Sequence, residues 1–473
     1  MAETSPNIYF AEKFGVSDEL LERAISTGLS SGGTYAEVFL QHRVTQFITF
    51  EDGRVNSGYI RVDLGAGLRV LDGDQTGYAY TEDLRDEKIL EAARTAASIA
   101  RQGSPQLTAP PLRGVDVTGG LYPKERVWDD VGPAKSITIA QHVGEAVASG
   151  DPSIIKAAVR MLNADDTVLI ANSEGALVED SRPMTYLFAS AVAERDWRRE
   201  SNSFSRAARV GLDFYTDDLI ANVAKEAVDR TTHLFDAGPA PAGEMPVVLA
   251  PATSGILLHE AVGHGFEADF NRKGRSIYSD MLGKQICPDF ISIVDTGLVP
   301  DARGALRVDD EGIPAQRTTL VDNGTLVSYM HDRISAKHYG VEPTGNGRRQ
   351  DFRTPPLPRM RVTLMEDGPH DPEEIIRSVK KGLYAVDFSN GQVTIGAGDY
   401  SFYVKTGYLI EDGKITAPIK DVNLIGNGPD TLSRVTMVGN DQVIEEGGGT
   451  CGKDGQRVPV GFGLPTTKVS AIT

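Results

Sequence analysis

The segment HEAVGH, residues 259–264, constrains the local fold most strongly, because its two histidines are five residues apart. In a regular α-helix, five steps of about 100° turn a side chain by roughly 140° net, so the two rings would not face a common point. If the imidazoles meet, the helix must end near the second histidine or contain a single-turn π-bulge. Gly263 and Gly265 flank His264 and would permit either distortion. The spacing therefore predicts an interrupted helix.

The residue types in this segment indicate a hydrolytic zinc site. Zinc held by three protein ligands keeps an open fourth position, where it can activate water and polarise a carbonyl group. A neighbouring carboxylate then takes the proton of the water. This pattern predicts His259 and His264 as ligands and Glu260 as the general base. The pattern alone also fits two unrelated helix histidines, one exposed and one buried.

The third ligand has two candidates. Glu267 lies three residues after His264, on the same side if the helix continues. Cys451 lies in the segment EGGGTCGK, where glycines let the backbone approach a crowded centre and Lys453 would favour the thiolate that binds zinc. The alternatives are a surface or supporting carboxylate for Glu267 and a structural thiol for Cys451. The other cysteine, Cys287, is predicted to be a core thiol.

The length of 473 residues predicts two domains, since one hydrophobic core rarely serves so long a chain. The segment FDAGPAPAG, residues 235–243, has the proline, glycine and alanine content of a linker. We therefore expect an α+β fold, with a mixed helix and sheet domain at 1–235 and a strand-rich domain carrying the metal helix at 244–473. Apolar periodicity predicts helices at 17–31, 82–101, 133–148, 216–233 and 372–381, and hairpin turns at 52–53, 72–74, 322–324 and 411–413. Thr253 or Ser254 is the predicted cap of the metal helix.

Charge and hydropathy exclude some partners. The formal net charge is -18, whereas binding to nucleic acid by counterion release needs a basic face. No apolar run approaches the roughly 20 residues that span a bilayer. The N-terminal residues lack a basic start followed by an apolar stretch, so no secretory signal is predicted and we expect a cytoplasmic location.

Several motifs in a fixed order resemble the TldD subunit of the TldD/TldE (PmbA) peptidases. They are HEAVGHGFEADFNRKG, DDEGIP, PTGNGRR, MVGND and GTCGKDGQRVPVGFGLPT, and the resemblance covers nearly the whole chain. It implies a zinc metallopeptidase acting on unfolded or extended peptides, including precursors of ribosomally made peptide antibiotics. It implies one Zn²⁺ per active subunit on His259, His264 and Cys451, with Glu260 as general base, and so favours Cys451 over Glu267. It further implies a heterodimer with a TldE-like subunit, or self-association where a member acts alone.

Two further segments carry predictions. The run TGNGRR, residues 344–349, could present amide and guanidinium groups to a peptide, so Asn346 and Arg348 are predicted substrate contacts. His331, near a predicted hairpin, is a third predicted contact that could polarise the scissile carbonyl, and its alternative is an ordinary polar residue. The alternative for the run is a tight turn with solvated arginines. The run DDEG, residues 309–312, lacks the spacing of an EF-hand and is predicted to be a solvated turn.

The strand-rich second half suggests that an extended peptide adds to a sheet edge. The rival to a peptidase is a metal-binding partner subunit without catalysis. A structural zinc site needs no carboxylate base, so the intact Glu260 favours the peptidase.

Overall fold

The computed structural model of the protein describes residues 7–100, 107–115, 117 and 119–473. Its N-terminal part contains one seven-stranded sheet, ordered β3-β2-β1-β5-β6-β4, with β7 paired to β6. The strands are β1 Tyr35–Glu51, β2 Arg54–Asp72, β3 Gln75–Thr81, β4 Arg113–Gly114, β5 Ile154–Asn172, β6 Ala176–Arg195 and β7 Arg198–Ala208. The predicted turn at Asp52 and Gly53 is confirmed, and both residues have positive φ, as tight hairpins require.

Five helices cover one face of this sheet. They are α1 Tyr9–Phe14, α2 Asp18–Leu29, α3 Asp86–Ala100, α4 Pro133–Ser149 and α5 Asp217–Thr232, with 3-10 turns at Leu212–Phe214 and His233–Phe235. Ser17 and Thr216 cap α2 and α5, each accepting a hydrogen bond from the backbone N–H three residues on. The first four predicted helices are present, although α3 begins later than predicted. The predicted end of α3, Arg101, lies outside the described residues.

The C-terminal part contains two larger sheets with a hydrophobic core between them. One sheet is ordered β12-β11-β10-β15-β23-β20 and the other β19-β24-β9-β16-β17-β18-β8. The strands are β8 Gly238–Pro239, β9 Met245–Leu249, β10 Ile293–Thr296, β11 Arg317–Asp322, β12 Thr325–Leu326, β13 Gly347–Arg348, β14 Leu357–Pro358, β15 Val362–Met365, β16 Lys381–Thr394, β17 Asp399–Glu411, β18 Lys414–Asn427, β19 Val435–Val438, β20 Val443–Ile444, β21 Thr450–Lys453, β22 Gln456–Pro459, β23 Gly461–Leu464 and β24 Thr467–Ile472. The helices are α6 Gly255–Ala261, α7 Ala268–Arg272, α8 Arg333–Tyr339, α9 Pro372–Arg377 and α10 Gly428–Ser433, with a 3-10 turn at Gly263–Phe266. The α+β class is thus confirmed.

Two local predictions in this part are wrong. Helix α9 ends at Arg377, and β16 already begins at Lys381, so the helix predicted for 372–381 is too long. Ser254 precedes α6 but does not cap it, because its hydroxyl donates to the carbonyl of Ala250.

The segment 235–243 contributes the short strand β8, which pairs with β18. The division at 1–235 and 244–473 stays a prediction. Among the described helices, none combines the length and the apolar content needed to span a membrane.

Buried ion pairs join the uncovered face of the N-terminal sheet to the C-terminal part. Arg69 lies 2.7 Å from Glu37 and 2.6 Å from Glu311, and all three side chains are fully buried. Arg349 also binds Glu37, and Arg182 lies 2.5 Å from Asp310. The predicted solvated turn at 309–312 is therefore wrong, as is the alternative of solvated arginines at 344–349. The sequence around residues 309–312 and 344–349 did not indicate that they are buried, because their charged partners lie more than 100 residues away.

Candidate metal centre

The backbone changes conformation between the two histidines, as their spacing predicts. Helix α6 carries His259 and ends at Ala261, and the 3-10 turn that follows carries His264. The break is at Val262, whose φ of -124° lies outside the helical range. Gly263 and Gly265 have no positive φ, so they are needed because a side chain would not fit, and not for an unusual backbone conformation. A Cβ at Gly265 would lie 2.5 Å from the ring of Tyr278.

This break brings three potential ligand atoms together from distant parts of the chain. One nitrogen of each histidine and the Sγ of Cys451 all lie within 4.8 Å of one another. The Sγ of Cys451 is 3.4 Å from Nε2 of His264. Tetrahedral zinc with bonds of about 2.0–2.1 Å to nitrogen and 2.3 Å to sulfur would place such atoms about 3.5 Å apart. The donor set and this separation both fit zinc.

His259 offers a second test of that fit. Its side chain is 2% exposed, yet within the described structure neither ring nitrogen has a hydrogen-bond partner. A buried imidazole without partners carries a substantial desolvation cost. A metal ion bound to one nitrogen would remove much of this cost. The arrangement of His259 is thus expected of a ligand and is unfavourable for an ordinary core histidine.

Glu267 lies on the other side of the second histidine. Its Oε2 is 2.9 Å from Nδ1 of His264, whereas Cys451 faces Nε2 of the same ring. Glu267 therefore orients the imidazole in the way that a carboxylate commonly orients a metal-binding histidine. Nζ of Lys453 lies 3.1 Å from the same Oε2 and neutralises the carboxylate. Sequence reasoning left Glu267 open as a ligand, and its spacing of three from His264 was the only signal for the orienting role.

The charges around the centre favour a cation. Burial would raise the pKa of the Cys451 thiol, but His259 and His264 hold that pKa well below its usual range. Burial likewise opposes protonation of His264, but Glu267 and Cys451 raise the pKa of this imidazole well above normal. Anionic neighbours that stabilise a proton here would also stabilise a metal ion. Lys453 was predicted to favour the Cys451 thiolate. Its amino group instead contacts the carboxylates of Glu267 and Asp269.

Glu260 lies at the open side of the cluster. Its Oε2 is 3.8 Å from Nε2 of His264, and 21% of its side chain is exposed, compared with 5% for His264. The carboxylate is therefore near the ligand atoms and can be reached by water. Cys287, in contrast, lies in the C-terminal core, where burial raises the pKa of its thiol to about 12.

The three predicted substrate contacts occupy different environments. Asn346 is fully buried, and its amide donates to Asp295 and to the carbonyl of Arg359. His331 is buried beside the rings of Tyr329 and Tyr339. Arg348 is also buried but lines a cavity. Among the described contacts, no hydrogen bond or ring contact joins these three side chains to His259, His264 or Cys451.

A cavity of about 720 Å³ lies beside the candidate centre. Its lining includes Ser203–Arg206 of β7 and Val443–Ile444 of β20, which are edge strands of two different sheets. Phe462 also lines it, and the ring of this residue is 5.8 Å from that of His259. Edge strands have backbone groups free to pair with another chain. The cavity thus lies between two sheet edges and reaches the Phe462 ring that packs beside His259.

Comparisons with known proteins show which family the chain belongs to. Three models of the PmbA/TldA metallopeptidase match in order: domain 1 at residues 36–100, the central domain at 126–235 and the C-terminal domain at 242–473. A metalloprotease TldD homolog from Haemophilus influenzae is 36% identical over 444 residues, covering 93% of this chain and 92% of that protein. This chain belongs to the PmbA/TldD metallopeptidase family. The resemblance read from the motifs is thereby confirmed.

Other members of the PmbA/TldD family extend the comparison. A zinc metalloprotease TldD homolog from Saccharolobus solfataricus is 34% identical over 261 residues, covering 55% of this chain and 57% of that protein. The crystal structure of TldE from Thermococcus kodakarensis has a TM-score of 0.71 and 19% identity, and the match covers 95% of this chain and 100% of that one. At this identity, the likeness to TldE concerns the fold alone.

Proposed function

We propose that this chain is a zinc peptidase in which His259, His264 and Cys451 hold the ion and Glu260 is the general base. The observation that carries the proposal is the convergence of two imidazoles and a buried thiol within 4.8 Å, with the Glu260 carboxylate beside them. The zinc metalloprotease name of the Saccharolobus relative supports this choice of metal. A purely structural site would normally have a fourth protein ligand.

Each side chain has a separate task in this proposal. Zinc, when bound, supplies Lewis acidity that polarises a carbonyl group and makes water more acidic. Glu260 takes the proton from the attacking water and delivers it to the leaving amine, for which its partly exposed carboxylate is well placed. Glu267 fixes the ring of His264 so that Nε2 faces the ion. The Cys451 thiolate supplies one negative charge to the site.

The substrates that fit this proposal are small, unfolded or extended peptides, including precursors of ribosomally made peptides. The supporting observation is the cavity between β7 and β20, whose edges can pair with an extended backbone. Main-chain pairing tolerates many side chains, and a stably folded protein has no free strand to pair in this way. Efficient cleavage of a stable protein in its folded state would contradict this part of the proposal.

We also propose that the subunit pairs with a TldE-like chain or with a second copy of itself. The first half of β2 is exposed and carries Val55, Tyr59, Ile60 and Val62, each more than 40% exposed. Exposed apolar groups of this kind are typical of subunit contacts. Light scattering of the purified chain, alone and with a TldE-like chain, distinguishes the two assemblies.

The test of the catalytic proposal replaces Glu260 by glutamine. We expect the variant to keep about one zinc per chain and to lose 10²- to 10⁴-fold in kcat on a flexible peptide, the range for a general base. The matched control is Glu244→Gln, a surface carboxylate paired with Arg434. Unchanged cleavage by Glu260→Gln would refute the assignment. A wild-type protein that binds zinc but cleaves no peptide would instead indicate the partner subunit without catalysis.

A further inference from the structure

A second cavity, of about 410 Å³, lies between the N-terminal sheet and the C-terminal part. Eight arginines and four aspartates contribute to its lining. Four of the arginines have carboxylate partners, as Arg43 has Asp166 and Arg61 has Asp63. Arg457 and Arg61 are exposed, so the cavity is open to solvent on their side. We call it the arginine cavity.

The other four arginines have no carboxylate within ion-pair distance in the described chain; Arg457 is exposed, whereas Arg209, Arg303 and Arg348 are buried or partly buried. Arg348 is 2% exposed and donates only to the carbonyls of Met360 and Pro459. Arg209 is 3% exposed, its Nη1 is 3.5 Å from the carbonyl of Pro183, and its Nε has no partner. Arg303 donates to the carbonyl of Gly449 and to the hydroxyl of Thr450.

Uncompensated buried cations are unfavourable unless something else neutralises them. Burial lowers the pKa of Arg348 to about 9, and the neighbouring Arg209 contributes to the same effect. Burial also lowers the pKa of Arg303 to about 10. An anion in the arginine cavity would offset this cost and would accept the donors that the protein leaves unused.

The position and lining of the cavity indicate what kind of anion it takes. Thr450 and Val458 line it, and the residue after Thr450 is Cys451, which pairs with Val458 in the β21–β22 hairpin. Apolar groups such as Phe47 and Leu162 also line it. Its volume is that of a ligand pocket and far exceeds the share of one inorganic ion. An amino-acid residue with a carboxylate fits both the size and the mixed lining.

We propose that the arginine cavity is a subsite for a carboxylate of the peptide substrate, either its C-terminus or an aspartate or glutamate side chain. This inference rests on the proposed peptidase function and adds a preference to it. Arg209, Arg303 and Arg348 would recognise the carboxylate, and the hairpin that carries Cys451 would set its distance from the scissile bond.

Peptide binding to the zinc-loaded Glu260→Gln protein tests the subsite without requiring cleavage. Three sets of dye-labelled hexapeptides are built on one glutamine-containing sequence. The first set has a free C-terminal carboxylate, and the second has a C-terminal amide. The third also has the amide, but in each of its peptides one glutamine is replaced by glutamate. We expect one of the carboxylate sets to bind about tenfold or more tightly than the neutral amide, as charge-assisted hydrogen bonds to arginine would give. The set that gains identifies the source of the carboxylate.

Substitutions then connect the preference to the cavity. Arg209→Gln and the partly exposed Arg303→Gln, each made in the Glu260→Gln background, should reduce it to threefold or less while binding of the neutral peptide is retained. Arg434→Gln, which removes an exposed charge outside the cavity, should keep the full preference. If Arg209→Gln does not fold, Arg303→Gln alone carries the test.

Two results would overturn the inference. One is binding of neutral and carboxylate peptides within twofold of each other. The other is a full preference in every cavity variant that folds. Failure of the proposed peptidase function is distinguishable, because the wild-type protein would then cleave no peptide while the carboxylate preference in binding remains.

Discussion

Replacing Glu267 by glutamine should weaken zinc binding although Glu267 is not itself a ligand. The fully buried carboxylate lies 2.9 Å from Nδ1 of His264 and 3.1 Å from Nζ of Lys453. Burial opposes its ionisation, but Lys453 and His264 lower the pKa of Glu267 to about 2. The carboxylate is therefore ionised at every pH used for zinc binding. Glutamine keeps the shape and one acceptor oxygen but removes the charge.

The size of the effect follows from this single contact. A charge-assisted hydrogen bond is about twice as strong as a neutral one. Loss of a partner that orients a metal-binding histidine typically weakens the metal site by 10- to 100-fold, which corresponds to about 1.4–2.7 kcal/mol. We therefore expect the zinc dissociation constant of Glu267→Gln to exceed that of wild type by about this factor. The ratio of the two constants should change little between about pH 7 and pH 9.

Competition with a chromophoric chelator measures the zinc dissociation constant directly. The matched control is Asp269→Asn, because Asp269 also contacts Lys453, at 2.7 Å, but has no contact with His264. The control should change the constant by less than threefold. A Glu267→Gln constant within twofold of wild type would refute the orienting role. So would an equal loss in the two variants, since the contact with His264 would then not be the cause.

Two further predictions concern the free energy of unfolding, measured by denaturant titration. Arg69→Met should lower the free energy of unfolding by about 3–5 kcal/mol, because the substitution leaves Glu37 and Glu311 buried without their shared partner. The control Arg317→Met breaks an exposed ion pair with Glu366 and should change the free energy of unfolding by less than about 1 kcal/mol. Equal losses in the two variants would contradict the role assigned to Arg69. Burial lowers the pKa of His331 to about 4, below the value of 6.5 expected when unfolded, so the unfolded chain takes up a proton first as the pH falls. Wild type should therefore lose about 2 kcal/mol between pH 7 and pH 5 that His331→Phe does not lose, and identical pH profiles would refute this.

Local rules predicted much of the framework. The turn at Asp52 and Gly53 and the helices predicted at 17–31 and 216–233 were found because each depends on residues a few positions apart. The break between His259 and His264 was predictable for the same reason, since it follows from helix geometry.

Contacts between distant residues explain what the sequence did not reveal. Asp310 and Arg349 lie in runs that have the composition of an exposed turn, yet their partners, Arg182 and Glu37, lie on strands of the N-terminal sheet. The same holds for the proximity of Cys451 to His264, which are 187 positions apart. The family motifs implied that proximity, whereas spacing alone left Glu267 as an equal candidate.

The most direct test of the metal centre compares the two cysteines of the chain. Cys451→Ser and Cys287→Ser remove one buried thiol each, and only Cys451 lies at the proposed ligand set. Zinc per chain should be close to one in wild type and in Cys287→Ser, and should fall to a small fraction in Cys451→Ser after dialysis against a mild chelator. A Cys451→Ser protein that retains a full zinc equivalent, with wild-type affinity, would contradict the assignment of this centre.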